Sequence, residues 1–253
     1  MARSRKRSRT KSDGKRVLTF VGLGALALAT VAAVAVALIT AQQQVSPAVA
    51  GPRPTFTERP VVPLISVLGD SYTGGSAVGG IGEKNWSGVV KQSLLDSGKD
   101  VDMRVDGKGG SGYVHVGGQD TTFVAEVPKV VTPESDVVIF FGSRNDLTAT
   151  GPEVEAAAAS AYAEVKRIAP KAKLIVVGVP WVNEDVPRGA VRTNEAVAAA
   201  AKAAGGTFID PQAERWFFGA DAALIGYDKV HPVDEGHIYM AKRITPHVQA
   251  ALG

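Results

Sequence analysis

Residues 67–73, Val-Leu-Gly-Asp-Ser-Tyr-Thr, decide how the rest of this sequence is interpreted. The apolar run from Pro63 to Leu68 has the length of a buried strand, and it stops abruptly at Gly69-Asp70-Ser71. A glycine-rich loop follows. Open α/β sheets carry their reacting groups just beyond the carboxyl ends of their strands. Ser71 therefore occupies a position typical of a reactive side chain, although an ordinary strand-to-loop turn with a capping serine has the same local sequence.

Downstream of this strand, strand-like and helix-like segments alternate, which favours a parallel sheet covered by helices on both faces. The unbroken apolar run 136–141, DVVIFF, is typical of a central strand. The patterns predict further strands at 62–68, 100–106, 173–179 and 207–210, and helices at 85–97, 152–169, 190–204 and 232–252. The sequence therefore predicts an α/β fold over residues 61–253, a three-layer α/β/α sandwich around a five-stranded parallel sheet.

The positive charge of the chain is concentrated at its amino-terminal end. Residues 1–16 contain eight lysine or arginine side chains and one aspartate, whereas the whole chain has a net charge of only +3. The remainder of the chain is therefore net acidic. Because nucleic-acid-binding domains carry a basic surface, the predicted domain is not expected to bind nucleic acid.

An uncharged apolar segment, residues 17–40, follows the basic end. It is long enough to cross a hydrocarbon core of about 30 Å as a helix. Only the amino-terminal flank of this segment is basic. This asymmetry predicts a cytoplasmic tail at 1–16, a transmembrane anchor at 17–40 in the cell membrane, and export of the rest of the chain. The alternative is a signal peptide that is cleaved near Ala50, after Ala48-Val49-Ala50. The polar, proline-rich segment 41–60 is interpreted as a linker.

The chain contains no cysteine. This absence excludes disulfides, a lipid-modified cysteine, a thiolate nucleophile and any zinc–cysteine site. An exported domain of this sequence must then be stabilised by its hydrophobic core, for which about 190 residues are sufficient.

Four loops at the predicted carboxyl edge of the sheet contain polar or glycine-rich sequences: Gly69-Asp70-Ser71, 107–112 (GKGGSG), 142–146 (GSRND) and 228–231 (DKVH). A serine hydroxyl is a weak nucleophile until a base accepts its proton and a third group orients that base. Among the four histidines, His231 follows Asp228 by three residues, so the carboxylate can bind one ring nitrogen while the other faces Ser71. The same residues would also suit the start of a helix.

The remaining histidines have weaker patterns. His237 is expected to face packing or solvent, His115 to lie in a solvated loop and His247 to lie on the surface.

Acyl transfer also requires hydrogen-bond donors for the negatively charged oxygen of its transition state. The Gly109 backbone N–H and the Asn145 side-chain amide fit this requirement, since a glycine amide is accessible and an asparagine after a central strand faces the same edge. A tight turn and a helix cap are the alternative interpretations of these two residues. A phosphate-binding loop is disfavoured because 107–112 lacks a Gly-Lys-Ser/Thr ending.

These four motifs occur in the order found in the GDSL/SGNH hydrolase superfamily, and residues 61–252 resemble a member of it. The resemblance implies a flavodoxin-like SGNH hydrolase fold and a serine esterase that uses no metal or cofactor. It implies that Ser71 is the nucleophile, His231 the base and Asp228 its orienting partner. It further implies an oxyanion hole formed by the Ser71 and Gly109 backbone N–H groups and the Asn145 side chain.

Two departures from the family pattern are present. Gly107 stands where the second block usually has asparagine, which leaves Gly110 as an alternative to Gly109. Ser143 stands where the third block often has glycine. The ordinary α/β-hydrolase motif fits less well, because residues 69–73 lack the second glycine of G-x-S-x-G.

The combined prediction is an extracytoplasmic serine ester hydrolase that acts on a small-molecule, glycan or lipid ester and is held at the membrane by residues 17–40. An O-acyltransferase acting on a cell-envelope glycan and a non-catalytic, tethered carbohydrate-binding domain are the alternatives. The loops 74–86, 111–123 and 180–190 are expected to line the cleft, with Trp86, Tyr113 and Trp181 as wall residues that would equally suit the core.

Overall fold

Within residues 62–253, which are those described by the computed structural model, five strands form one parallel sheet. Their spatial order is β2-β1-β3-β4-β5, and every neighbouring pair is parallel. The strands are β1 Leu64–Gly69, β2 Asp102–Gly107, β3 Ser135–Phe141, β4 Lys173–Val177 and β5 Thr207–Ile209. The predicted five-stranded parallel sheet is therefore confirmed. The chain runs from β1 outward to β2 and then returns to place β3 on the other side of β1, which makes the β1/β3 edge the switch point of the sheet.

Helices connect the strands and cover the sheet. They are α1 Ser71–Gly74, α2 Trp86–Asp96, α3 Phe123–Val130, α4 Gly151–Ile168, α5 Arg188–Ala203 and α6 Asp234–Leu252. Each of the four predicted helices is present with ends shifted by two residues at most. Helix α4 begins with a capping box, in which the Thr150 hydroxyl accepts from the Glu153 N–H and the Glu153 carboxylate accepts from the Thr150 N–H.

Alternate residues of each inner strand face opposite layers. In β3, Val137, Ile139 and Phe141 pack against α2 and α6, whereas Val138 and Phe140 pack against α3, α4 and α5. Each fully buried side chain of this size stabilises the fold by about 2 kcal/mol relative to its exposed state. Burial on both faces explains why β3 has a continuous apolar sequence, and it confirms the three-layer sandwich.

Two residues expected at the walls of the cleft lie in the core instead. Trp86, the first residue of α2, packs edge-on against Phe141 with ring centroids 5.5 Å apart. Tyr113 packs between Phe123 and Phe140, and its hydroxyl shares a 2.6 Å hydrogen bond with the hydroxyl of Tyr162. Of the two alternatives that the sequence leaves open, the structure therefore shows the core for both residues, where each ring packs against aromatic neighbours.

The basic tail 1–16, the apolar segment 17–40 and the linker 41–60 lie outside the described residues. Over residues 62–253, none of the helices combines the length and the apolar character needed to cross a bilayer.

His237 lies in the first turns of α6 and is only 1% exposed. Its Nδ1 accepts a hydrogen bond of 3.3 Å from the Trp86 N–H. Gly80 approaches the ring so closely that a Cβ at this position would overlap it. Burial lowers the pKa of His237 from 6.5 to about 4, so the imidazole is neutral in the folded protein at neutral pH. The expectation that this side chain faces packing or solvent is resolved in favour of packing.

Protonation of His237 should destabilise the fold. Because the folded chain binds this proton more weakly than the unfolded chain, the stabilisation from neutral His237 is complete above pH 6.5 and is lost as the pH falls through about 4. Between pH 7 and pH 4.5, the free energy of unfolding of the full-length protein should fall by about 2 kcal/mol more than that of His237→Gln. Urea denaturation at both pH values measures this difference. His247→Gln is the matched control on the same helix, and parallel pH profiles for wild type and His237→Gln would contradict the prediction.

Candidate active site

Ser71 lies directly beyond the carboxyl end of β1, as the first residue of the short helix α1. The backbone turns sharply here because Asp70 caps the turn: its Oδ1 accepts from the Tyr72 N–H at 2.9 Å, and its carbonyl accepts from the Thr73 N–H at 3.0 Å. Gly69 lies so close to Thr73 that a side chain at position 69 would overlap it. The turn therefore requires glycine before the Asp-Ser pair and leaves the Ser71 side chain at the edge of the sheet.

A chain of hydrogen bonds joins Ser71 to two residues that lie about 160 positions further along the sequence. His231 Nε2 lies 2.9 Å from Ser71 Oγ, and His231 Nδ1 lies 2.6 Å from Asp228 Oδ2. The other carboxylate oxygen, Asp228 Oδ1, accepts the backbone N–H groups of Val230 and His231, both at 2.9 Å. One carboxylate thus fixes both the turn and the imidazole ring.

The charge of Asp228 determines which nitrogen of His231 carries the proton. Burial acts to raise the pKa of Asp228, but the hydrogen bonds from His231 and Val230 outweigh it and lower the pKa to about 2. Asp228 is therefore ionised at neutral pH and can only accept a hydrogen bond. In neutral His231 the proton then lies on Nδ1, and the lone pair of Nε2 faces Ser71 Oγ.

Tyr72 connects the serine turn to the histidine loop. Its buried hydroxyl donates a hydrogen bond of 2.6 Å to the carbonyl oxygen of Val230, the residue before His231. Burial raises the pKa of Tyr72 to about 12, so the hydroxyl remains protonated and remains a donor. Tyr72, the residue after the serine, therefore binds Val230, the residue before the histidine. This contact holds His231 beside Ser71.

Three backbone N–H groups at this edge, two of them predicted oxyanion donors, have no acceptor among the residues that the structure describes. Among residues 62–253, neither the Ser71 N–H nor the Gly109 N–H forms a hydrogen bond with another residue. A Cβ on Gly109 would point into open space, whereas Gly110 has a φ of +78° and turns the chain back. The Gly110 N–H also lacks an acceptor within the same residues, so Gly109 stays the predicted donor with Gly110 as its alternative.

Asn145 lies in a single 3₁₀ turn, Arg144–Asp146, that follows β3. Its Nδ2 donates to the carbonyl oxygen of Ser111 at 2.8 Å and, more weakly, to Asp70 Oδ2 at 3.3 Å. The amide thus lies between the loop that follows β2 and the turn that follows β1. It is the third donor at the edge that the sequence predicts to bind an oxyanion.

Asp146, next to Asn145, holds the loop after β2. Its buried carboxylate accepts the backbone N–H groups of Tyr113, Val114 and His115 at 2.8, 3.0 and 2.7 Å. Burial raises the pKa of Asp146 even though these three hydrogen bonds act to lower it. The Asn145-Asp146 pair therefore links two loops rather than capping a helix, and His115 participates through its backbone.

The sequence did not indicate the role of Asp70, which is 1% exposed. Its Oδ2 accepts from the Ser143 hydroxyl at 3.0 Å as well as from Asn145. Burial raises the pKa of Asp70 from 3.8 to about 6, although the hydrogen bonds from Tyr72 and Ser143 and the charge of Arg144 act to lower it. The position of Asp70 between the end of a strand and the serine could have indicated a role in the site. The sequence does not show, however, which groups its carboxylate contacts.

Ser143, a departure from the family pattern, contributes to the same network. Its hydroxyl accepts from the Asn145 N–H at 2.9 Å. It has one hydrogen to donate, and both Asp70 Oδ2 and the Ser111 carbonyl lie within 3.0 Å of it. A glycine at this position would lack all of these contacts, so the serine strengthens the support of Asn145.

Within residues 62–253, no three histidine, aspartate or glutamate side chains come together in a group that could hold a metal ion. Of the three aromatic residues expected to line the cleft, Trp181 is only half-buried, and its ring lies 4.4 Å from the Arg144 guanidinium.

Comparisons with known proteins identify the family of this chain. Residues 67–238 match the model of the GDSL-like Lipase/Acylhydrolase family. The chain is 38% identical over 191 residues to the GDSL lipase Rv0518 of Mycobacterium tuberculosis, an alignment that covers 74% of this chain and 82% of that protein.

Solved structures show the same fold at low sequence identity. A lipase/acylhydrolase from Enterococcus faecalis superposes with a TM-score of 0.62 at 18% identity, covering 75% of this chain and 96% of that one. A family two carbohydrate esterase from Clostridium thermocellum, in complex with cellohexaose, gives 0.56 at 16% identity over 77% and 66% of the two chains. The sequence match to the family model, together with the curated relative, shows that this chain belongs to the GDSL-like lipase/acylhydrolase family and is an ester-hydrolysing serine hydrolase.

Proposed function

We propose that the protein hydrolyses carboxylic esters through an acyl-enzyme on Ser71. The observation that carries this proposal is the hydrogen-bonded chain Ser71–His231–Asp228, with distances of 2.9 and 2.6 Å. His231 Nε2 accepts the proton of Ser71 as Oγ attacks the ester carbonyl, and ionised Asp228 stabilises the resulting imidazolium. The imidazolium then donates its proton to the departing alcohol, and a water molecule repeats the sequence to release the acid.

The negative oxygen of the tetrahedral intermediate is held by the Ser71 N–H, the Gly109 N–H and the Asn145 side chain in this proposal. The two backbone donors are available because no described residue accepts from them. Asn145 retains its 2.8 Å bond to Ser111 and turns its second hydrogen from the more distant Asp70 carboxylate toward the oxyanion. Each such donor lowers the barrier by about 3 kcal/mol.

The proposed substrate is an ester of a small molecule, a glycan or a lipid. Support comes from the names of the relatives, which include a lipase, a lipase/acylhydrolase and a carbohydrate esterase in complex with cellohexaose. Hydrolysis is favoured over acyl transfer to a glycan, because no observation favours an alcohol over water as acceptor. The assembled Ser–His–Asp set argues against a purely carbohydrate-binding domain.

The proposed site of action is outside the cytoplasmic membrane. The supporting pattern is the basic segment 1–16, the uncharged segment 17–40 and the polar linker 41–60. In this arrangement, the linker separates the catalytic domain from the membrane to which residues 17–40 anchor it.

Replacing Ser71 should abolish turnover. Full-length Ser71→Ala should hydrolyse 4-nitrophenyl acetate at least about 10³-fold more slowly than wild type, because the nucleophile is lost, and His231→Ala should fall by a similar factor. A fluorophosphonate probe should label wild type and not Ser71→Ala. Ser160→Ala, on the exposed face of α4, is the matched control. Retained hydrolysis by Ser71→Ala would show that another group carries the reaction, and an acylated glycan instead of free acid would show a transferase.

The ionised Asp70 carboxylate should increase kcat and lower the free energy of unfolding at neutral pH. Asp70→Asn disturbs the hydrogen bond of the Ser143 hydroxyl, which in turn accepts from the Asn145 N–H, so kcat should fall by about tenfold to a hundredfold with little change in KM. Asn145→Ala removes an oxyanion donor outright and should lower kcat by more, about a hundredfold to a thousandfold. Because the folded-state pKa of Asp70 is raised to about 6, its stabilisation is present below about pH 4 and is lost as the pH rises through 6.

The Asp70→Asn protein should therefore unfold at a higher urea concentration than wild type at pH 8 while being less active. Steady-state kinetics and urea denaturation at pH 8 measure the two effects. Asp96→Asn, on the exposed end of α2, is the control for loss of a negative charge. An Asp70→Asn protein of unchanged kcat would contradict the proposed support of Asn145.

The topology can be tested on cells that produce the protein. The chain should sediment with membranes, and a protease added outside the cytoplasmic membrane should digest the domain 61–253. Mass spectrometry should find the segment 17–40 retained. A mature chain that begins after Ala50 would instead establish the cleaved form, and a protease-protected domain in the soluble fraction would contradict export.

A further inference from the structure

Arg144 stands out among the charged residues of the carboxyl edge because the residue is half-buried and its guanidinium lacks an acidic partner among the described residues. It lies in the turn after β3, directly before Asn145. Its guanidinium carbon lies 4.4 Å from the centre of the Trp181 ring, which fixes the plane of the group. Within residues 62–253, no carboxylate oxygen lies within 4.0 Å of its nitrogens.

The neighbouring carboxylates already have other partners. Asp228 binds His231, Asp146 binds three backbone N–H groups, and Asp70 binds Tyr72, Ser143 and Asn145. A guanidinium has five N–H donors in a planar fork that matches a carboxylate or a phosphate. In Arg144, this fork donates one long hydrogen bond, 3.4 Å from Nη1 to the Val230 carbonyl, and it lies beside the Tyr72 hydroxyl.

That contact is not needed to hold the histidine loop. The Val230 carbonyl already accepts the Tyr72 hydroxyl at 2.6 Å, which is the shorter and stronger of the two bonds. A positive charge that is fixed on an aromatic ring, that lacks an acidic partner and that contributes little to the loop is suited to a ligand.

The position of Arg144 indicates which part of a substrate it meets. It lies between Asn145, which faces the proposed oxyanion, and Val230, which precedes the proposed base His231. In the proposed reaction His231 donates its proton to the departing alcohol, so the alcohol half of the ester leaves past the histidine loop. We propose that Arg144, supported by Trp181, binds a carboxylate or phosphate on the alcohol half of the ester. This inference rests on the proposed ester hydrolysis and specifies its substrate class.

The test uses acetate esters whose alcohol halves carry different charges. Full-length protein is assayed with 4-acetoxybenzoate, its neutral counterpart 4-acetoxybenzamide, and 4-acetoxyphenyl phosphate, and kcat/KM is measured for each. Arg144→Gln should lower the charged-to-neutral ratio of kcat/KM about tenfold, mainly through a higher KM for the charged esters. The ratio cancels any general loss of activity. The carboxylate and phosphate arms identify which anion depends more strongly on Arg144.

Two further variants separate charge from packing. Trp181→Leu keeps the charge but removes its support, so the ratio should fall by a smaller factor. Arg243→Gln is the matched control. Arg243 also packs on an aromatic ring, 3.6 Å from the centre of Tyr239, but it lies on α6 away from the site. The charged-to-neutral ratio of kcat/KM for this variant should equal that of wild type. The wild-type ratio should also fall as salt is added, since a half-exposed charge is screened.

The outcomes distinguish this inference from the function on which it rests. If wild type hydrolyses none of the three acetoxy compounds and does not hydrolyse 4-nitrophenyl acetate, the proposed ester hydrolysis fails and this inference falls with it. If wild type hydrolyses all of them but Arg144→Gln lowers the charged and neutral rates by the same factor, Arg144 is structural and the anion site is refuted.

Discussion

The buried carboxylate of Asp70 accepts hydrogen bonds from residues that follow both β1 and β3. One oxygen ends the strand by capping the serine turn, and the other accepts from the side chains of Ser143 and Asn145. Burial of a carboxylate without a basic partner is costly, and the raised pKa of Asp70 reflects that cost. The strand order reverses between β1 and β3. The proposed nucleophile follows β1 and one proposed oxyanion donor follows β3, so the positions of both depend on Asp70.

A second interaction attaches the carboxyl-terminal part of the chain to this edge. The Tyr72 hydroxyl and the Val230 carbonyl join segments that are 158 residues apart, and they hold His231 beside Ser71. Tyr72 also packs edge-on against Phe141 at the end of β3, with ring centroids 5.9 Å apart. The same side chain therefore belongs both to the hydrophobic core and to the support of the site, so the packing of the core also positions the site.

The strands, the main helices and the order of the site motifs were predictable from the sequence, because they depend on local apolar periodicity and on short spacings. The buried strand β3 is the clearest case, since its apolar run requires burial on both faces. Helix α3 was not predicted: it is short and contains Pro128, and only its packing against the sheet makes it helical. The burial of Trp86 and Tyr113 depends on partners distant in sequence, as do the contacts of Asp70 and Ser143, and no local pattern reveals such partners.

The long separation between Ser71 and His231 has a consequence for biosynthesis. A ribosome makes the chain from its amino terminus, so Ser71 is synthesised 160 residues before the imidazole that lies beside it. The loop containing His231 is held by Tyr72 on one side and continues into α6, the final helix, on the other. Every nascent or truncated form that lacks the segment with His231 has a serine without its base. A partly made molecule of this kind therefore carries no activated nucleophile.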